Sequence, residues 1–298
     1  MPLTAKLLFL PPWLLLLLMN AIFIGGSIIL LLLFRHFIAY QTRKDHHSVV
    51  SSIFGRVAPM FGILLAFIVV ILWQEYQSAE LNAINEGNAA LNVYRDLLHY
   101  PNRSQVAAAT SSYDKFIKSV VKDEYPAMAQ MMKSNKTQNA KDVLWLNIMK
   151  MQPKTSQEQA FHKNMVRNLE LLNDYRQTRM KEMRSSIPEV LWVVIFIGAA
   201  VTILLAALLH ADKFWMHALS LSTLAIIIAT TIFLAIQLDY PFLGELSTEK
   251  ASYVEILNKI SKQDDKLSNK ITGNYSNAPS ANPRTDRVSQ TKGSVPQK

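Results

Sequence analysis

Seven histidines are the first residues in this sequence that suggest chemistry. Five of them, His36, His46, His47, His210 and His217, fall in or beside two short segments between apolar runs. Imidazole is both a common metal ligand and a proton carrier near neutral pH. A metal centre also needs further ligands at fixed spacing, and no Asp or Glu cluster with such spacing accompanies these histidines. They read as interfacial side chains, so no metal and no cofactor is expected. The chain has no Gly-rich phosphate loop, no HExxH pair and no nucleophile elbow. It also has no Cys, which removes disulfides, thiolate metal sites and cysteine nucleophiles together. No catalytic residue is expected, and the protein is not read as an enzyme.

Charges at the ends of the apolar runs carry more information. Glu75 follows the second run and Asp239 the fourth, each at a helix C-terminus, where the macrodipole disfavours an anion. Arg179 and Arg184 precede the third run on the same side, so Glu75 and Asp239 are expected to pair with them. The plainer reading leaves all four solvated at headgroup level, where an ion pair contributes about 0–1 kcal/mol. Within the runs no Lys, Arg, Asp or Glu occurs at mid-depth, which argues against a proton-coupled transporter built on a buried carboxylate. Asn20, Ser27, Thr202, Ser220, Ser222, Thr223, Thr230 and Thr231 fit helix-to-helix hydrogen bonding better than pore lining. An apolar constriction that gates by dewetting is the pore alternative. Phe61, Leu64 and Phe67 are its candidate ring, should several copies turn the second run to a shared axis.

These groups are positioned by four apolar segments of about 17 to 25 residues, the length an α-helix needs to cross a bilayer. Helices satisfy their own backbone in lipid, so the fold class is an all-α integral membrane protein with four transmembrane helices. The first run, Leu7 to Phe34, is too long for a signal peptide and has no small-residue cleavage site after it. Residues 1–73 hold the first two spans and a short polar loop. A helical extramembrane domain, residues 74–188, is inserted between the second and third spans. Residues 189–238 hold the third and fourth spans, joined by a tight turn at HADKFW. Residues 239–263 give a turn and a juxtamembrane helix. The tail, 264–298, has almost nothing apolar to bury and reads as disordered.

Inside the inserted region the second span continues as a strut, with a seam of Leu81, Ile84, Leu91 and Leu98 interspersed with Asn88 and Arg95. A helix from Ser104 carries Tyr113, Phe116, Ile117, Val120 and Val121 on one face, and Pro126 ends or bends it. VLWLNIM is a short apolar piece. Thr155 and Glu158 have capping-box spacing, and the helix they start has a seam of Phe161, Met165, Leu169, Leu172, Arg176, Arg179 and Met183 that points at the third span.

Half the residues are hydrophobic and the net charge is +9. The basic residues are scattered without an aromatic stripe, so membrane adhesion explains them and nucleic acid does not. Lys and Arg divide almost evenly between the two membrane faces, which leaves orientation open.

Four stretches in order, RKDHHSVVSSIFGRVAPMFGILLAFIVVILWQEYQSAELNAINEGNAAL, YDKFIKSVVKDEYPAM, RQTRMKEMRSSIPEVLW and LDYPFLGELS, resemble the bacterial bestrophin-like family, a domain of unknown function. The resemblance covers roughly Phe34 to Ile260. Positions that match the family's recurring ones are Trp73, Glu86, Arg95, Glu124, Pro126, Arg179, Pro188, Asp239, Pro241, Phe242 and Gly244. Bestrophins are pentameric anion channels whose inserted helical domain and termini are cytosolic. The resemblance therefore implies a homo-oligomer in the bacterial inner (plasma) membrane, with inorganic ions as partners beside the lipid bilayer and the second span at the pore. An acidic calcium clasp of the bestrophin kind is missing after the fourth span, so calcium gating is not implied.

Two readings follow. One is an oligomeric, anion-passing channel. The other is a membrane-anchored sensor or scaffold whose helical domain binds a ligand or protein and passes the change on through the helices at Tyr76 to Leu98 and Phe161 to Ile187, with Trp73 and Glu75 at the joint.

Overall fold

A computed structural model describes residues 7–37, 40–183, 187–243 and 253–260, with the backbone alone at 40–45. Helix α1 spans Pro12–Phe37, α2 Tyr40–His99 and α3 Arg103–Ser119. A π-helical turn at Val120–Glu124 leads into α4, Tyr125–Met128. Then come α5, Asn135–Met149, α6, Ser156–Glu182, α7, Glu189–Leu208, and α8, Phe214–Leu238. Residues 253–260 are also helical, and no strand occurs among the described residues. The chain divides into two units, Met1–Leu257 and Asn258–Lys298. Everything discussed below lies in the first. The tail at 264–298 lies outside the described residues.

Four helices, α1, α2, α7 and α8, are long and apolar enough to cross a membrane. Their shared core holds Leu15 and Leu31 of α1, Leu65 and Leu72 of α2, Ile195 of α7 and Ile232 of α8. Within the apolar stretch of each, most of the remaining surface is exposed and carries large apolar side chains such as Leu17, Ile63, Phe67, Ile197 and Ile227, as lipid-facing helices require. The short connections come together at one end of this bundle. Arg35 Nη2 donates to the Ala211 carbonyl at 2.9 Å, its guanidinium sits 5.1 Å over the Phe214 ring, and the His210 backbone N–H donates to His47 Nδ1 at 3.2 Å.

Two element boundaries differ from the sequence reading. α2 begins at Tyr40, ahead of its apolar stretch, because nothing between the two breaks a helix, so most of the expected polar loop is helical. At 60 residues and 1.5 Å per residue it is about 90 Å long. The apolar piece VLWLNIM is the second half of α5, which starts at the Ser134 cap. There Ser134 Oγ accepts from the Thr137 N–H at 3.2 Å. At the start of α6 both halves of the capping box form: Thr155 Oγ1 accepts from the Glu158 N–H at 3.1 Å, and Glu158 Oε2 accepts from Thr155 N at 3.4 Å and Lys154 N at 2.6 Å.

α2 crosses α7 where Gly198 faces Phe61. A Cβ at position 198 would collide with the Phe61 ring, so the close approach depends on this glycine. Gly198→Ala is expected to cost about 1–3 kcal/mol by overpacking and to lower the thermal midpoint in detergent. Phe61→Leu in the same chain is expected to recover most of that loss. If the double variant melts no higher than Gly198→Ala alone, the ring is not what limits the crossing.

Candidate functional site

α2 and α6 pack along much of their length, and the residues that face each other there differ from the expected seam on one side only. On α6, Met165, Leu169, Leu172, Arg176 and Arg179 are buried, as their three- and four-residue spacing predicts. On α2 the buried stripe is Ala79, Ala83, Glu86, Ala90, Val93 and Leu97, whereas Leu81 and Ile84 are 59% and 44% exposed. The expected α2 seam is therefore rotated. Alanines let the two helices approach closely, and that approach, rather than the larger side chains, selects the buried face. Glu86 stands in the middle of the alanine stripe, fully buried.

The second carboxylate arrives through the π-helical turn. Pro126 has no N–H to give and would clash with the carbonyl four residues back in a regular helix. The chain widens just before it, with the Tyr125 N–H reaching the Val120 carbonyl. One extra residue in a turn shifts the register by about 100°. With Glu124, Tyr125 and Met128 all in this short stretch, the side chains meet Arg179 from one side. The expected bend at Pro126 takes this form.

Arg179, at 0% exposure, is the centre. Its Nε and Nη2 donate to Glu86 Oε2 and Oε1 at 2.5 and 2.8 Å. Nη2 also donates to Glu124 Oε1 at 2.5 Å, and Nη1 lies 2.5 Å from the Met128 sulfur. The Tyr125 ring stacks on the guanidinium at 4.8 Å. Arg176 grips the other side of Glu124, with Nε at 3.1 and 3.0 Å from the two oxygens and Nη2 at 2.5 Å from Oε2. The Tyr253 hydroxyl, from the helical segment 253–260, donates to Glu86 Oε1 at 2.6 Å. Asn82 of α2 adds a link nearer the membrane, donating to Glu182 Oε1 at 2.5 Å.

Two arginines and two glutamates make the cluster electrically neutral, which is what lets it be buried. Burial alone would favour loss of the Arg179 proton, but the carboxylates of Glu86 and Glu124 outweigh it and hold its pKa well above the ordinary value. Burial pushes the Tyr125 phenol up to about 12, against the lowering effect of Arg179. Burial and then the Glu86 charge raise Tyr253 well above its ordinary value. The donors of Arg179 are spent on the protein itself. The arrangement is a clamp joining α2, the π turn, α6 and the segment after α8.

The pairing expected for Arg179 is thus corrected: its partners are Glu86 and Glu124, not Glu75 or Asp239. Glu75 is exposed on α2, where its charge helps to raise the pKa of Glu182 after the larger effect of burial. Asp239 is buried and accepts from the Ile187 N–H at 3.3 Å and from Trp192 Nε1 at 3.2 Å. A carboxylate disfavoured at the end of α8 is in this way placed at the favourable start of α7. Arg184 and Gly244 lie outside the described residues. The three ring candidates do not share a surface. Phe61 is buried against α7, at 7% exposure, while Leu64 and Phe67 are 39% and 66% exposed. Steps of three residues rotate around a helix by about 60° each in one sense, so Phe61 and Phe67 point in directions about 120° apart.

Of the other family positions, Trp73 is half exposed and stacks on Tyr76 at 6.1 Å, Arg95 is exposed, Pro188 caps α7, and Pro241 and Phe242 are buried in the turn after α8. Tyr125, Met128 and Tyr253 were missed as site residues. The only local signal for them was an apolar or aromatic side chain next to a proline or a polar run, which many surface positions share.

Arg179→Met is expected to cost about 3–5 kcal/mol, because it leaves carboxylates buried without their counter-charge. Glu86→Leu alone is expected to cost a similar amount. Arg179→Met with Glu86→Leu keeps the neutral Arg176–Glu124 pair and is expected to lose markedly less than the sum of the two single losses. Strict additivity in thermal unfolding would show that the two groups are not coupled. For Tyr253 the folded pKa lies above the unfolded value of about 10, so its contribution is complete below pH 10 and is lost as pH rises through the range above it. Tyr253→Phe is expected to cost about 1.5–3 kcal/mol at neutral pH and to make the alkaline fall in stability shallower. A variant with the same alkaline profile as the parent would place Tyr253 outside the clamp.

No curated protein and no solved structure matches the chain. A family model described as a bestrophin-like domain matches residues 21–253. The match begins inside α1, most of which the sequence resemblance had left out, and takes in the rest of that helix and the other three long apolar helices together with Glu86, Glu124, Arg176 and Arg179. With four such helices and more than half its length matched, the chain is a membrane protein and belongs to the bestrophin-like family.

Proposed function

We propose that the chain is one subunit of an oligomeric anion channel of the bacterial plasma membrane. Four spans carry the pore, and the helices between the second and third form an extramembrane vestibule. The observation that carries this reading is an exposed stripe along α2. Ile63, Phe67, Val70, Gln74, Gln77, Leu81, Ile84 and Asn88 recur at three- and four-residue steps, Arg95 follows two turns later, and all are exposed. The opposite face is packed against the rest of the chain from Phe61 to Leu97. A helix about 90 Å long that is covered on one side only has a continuous seam for a shared axis. Along that seam the side chains are apolar at membrane depth, then two glutamines, Leu81 and Ile84, Asn88, and a cation at the far end.

Phe67 replaces the Phe61, Leu64 and Phe67 ring as the constriction, since it is the most exposed large side chain of the three. Rings of Arg attract anions, and Arg95 supplies one at the vestibule end. The second reading, a sensor or scaffold with lipid as its surroundings, is supported by the clamp. It ties α2 to α6 just outside the apolar runs, where a shift of one helix would be passed to the other.

Purified protein in liposomes separates the two. An oligomer that passes chloride is expected, with Phe67→Ala raising the flux severalfold and Arg95→Glu lowering the preference for anions over cations. A stable monomer that passes no ion in any salt would leave only the sensor.

A further inference from the structure

A second polar feature lies beside the clamp and is not explained by it. The start of α5 and the end of α6 border a half-open cavity of about 360 Å³, a size within the range of small-molecule sites. Its wall carries four cations, Lys133, Lys141, Arg176 and Lys181, together with Asn135 and Gln138, and no carboxylate. We propose that this cavity binds a phosphoryl group. The proposal stands independently of the channel reading.

The charges around the cavity are unevenly matched. Glu124 is already held by Arg176 and Arg179. Asp142 accepts from Gln138 Nε2 at 3.0 and 3.3 Å and lies 3.6 Å from Lys141, which also donates to Asn173 Oδ1 at 3.1 Å. Lys136, next to the opening, is paired with Asp123 at 3.0 Å. The side chains of Lys133 and Lys181 have no hydrogen bond or ion pair among the described residues and are exposed. Two cations are therefore unmatched, and a third is only loosely engaged, around one hollow. The first turn of α5 adds to this. The Ser134 side chain takes the Thr137 N–H, while the N–H groups of Asn135 and Lys136 have no carbonyl to reach within the helix. Helix start and lysines together suit a group with about −1.5 to −2 charge and several acceptor oxygens.

The position of the cavity admits two sources for that group. Lys181 is in the last turn of α6, ahead of the membrane helix α7. Met131, two residues before Lys133, adopts φ 56° and packs against the membrane core. Its N–H reaches the Met128 carbonyl at 2.8 Å, and the Met132 N–H reaches that of Ala127 at 2.9 Å. This is the closing pattern of a Schellman stop, and it holds the Lys133 loop at the membrane end of the region. A phospholipid headgroup and a soluble phosphate ester both have the required chemistry. Either one would touch Arg176 and so bear directly on the clamp.

The test uses the full chain in an uncharged detergent, with inorganic phosphate titrated at constant ionic strength and the shift in thermal midpoint recorded. A parallel sample is exchanged into nanodiscs with and without phosphatidylglycerol, and retained lipid is read by native mass spectrometry. The variant is Lys133→Gln, Lys141→Gln and Lys181→Gln together. The control is Lys115→Gln with Lys163→Gln, at two exposed lysines elsewhere. Saturable phosphate binding that weakens at least about tenfold in the triple variant and not in the control establishes the site for a free phosphate ester. Phosphatidylglycerol retained by the parent and the control but lost by the triple variant establishes it for a headgroup. If the triple variant matches the control with both probes, the proposal is overturned.

Discussion

A guanidinium with no access to water constrains every element that must neutralise it. Arg179 lies at the centre of the polar region, and each ion buried there carries a desolvation cost of several kcal/mol unless its partners are correctly placed. That requirement explains otherwise unrelated details. α2 turns an alanine stripe toward α6 because Glu86 has to come within hydrogen-bonding distance. The helix before Pro126 widens, bringing Glu124 in. Tyr253, far along the chain, completes Glu86 with a hydroxyl. A core of apolar side chains would tolerate small rotations of these helices. A bidentate arginine with two carboxylates does not, so the clamp fixes one register among several that hydrophobic packing alone would allow.

The clamp also sets how the polar region meets the membrane helices. α2 runs through both without interruption, and α6 ends a few residues before α7 begins. Only α2 crosses the boundary as one helix, and the clamp locks it to α6 beyond it. Asp239 plays a related part at the boundary itself, joining the end of α8 to the entry of α7 through a backbone N–H and an indole. Charged groups at this level are thus used to dock helices onto one another. The membrane core below them is held by apolar packing and one close crossing at Gly198.

The cationic cavity lies on the outer side of the same clamp and shares Arg176 with it. Its lysines are exposed and its deeper arginine is neutralised, so charge rises outward from a neutral centre. The exposed α2 stripe is on the far side, away from α6. One helical region therefore presents two different faces, a concave basic one and a long exposed seam along α2.

The sequence by itself determined the four long apolar helices, the capping box at Thr155, the irregularity at Pro126, and the buried face of α6 down to Arg176 and Arg179. Each of these depends on local periodicity or on backbone chemistry that a few neighbouring residues settle. It also determined enough of the family's pattern for Glu86 and Glu124 to be singled out without a role. Only the tertiary structure decided that Arg179 meets those two glutamates, that the large residues Leu81 and Ile84 face outward while alanines face in, and that Phe61 turns into the bundle away from Phe67. Periodicity shows that a helix has a buried face; what lies opposite that face depends on chain segments tens to hundreds of residues away. Close helix approach reverses the usual preference for burying the larger side chain, and an ion pair formed across the fold leaves no spacing signal in either of its partners.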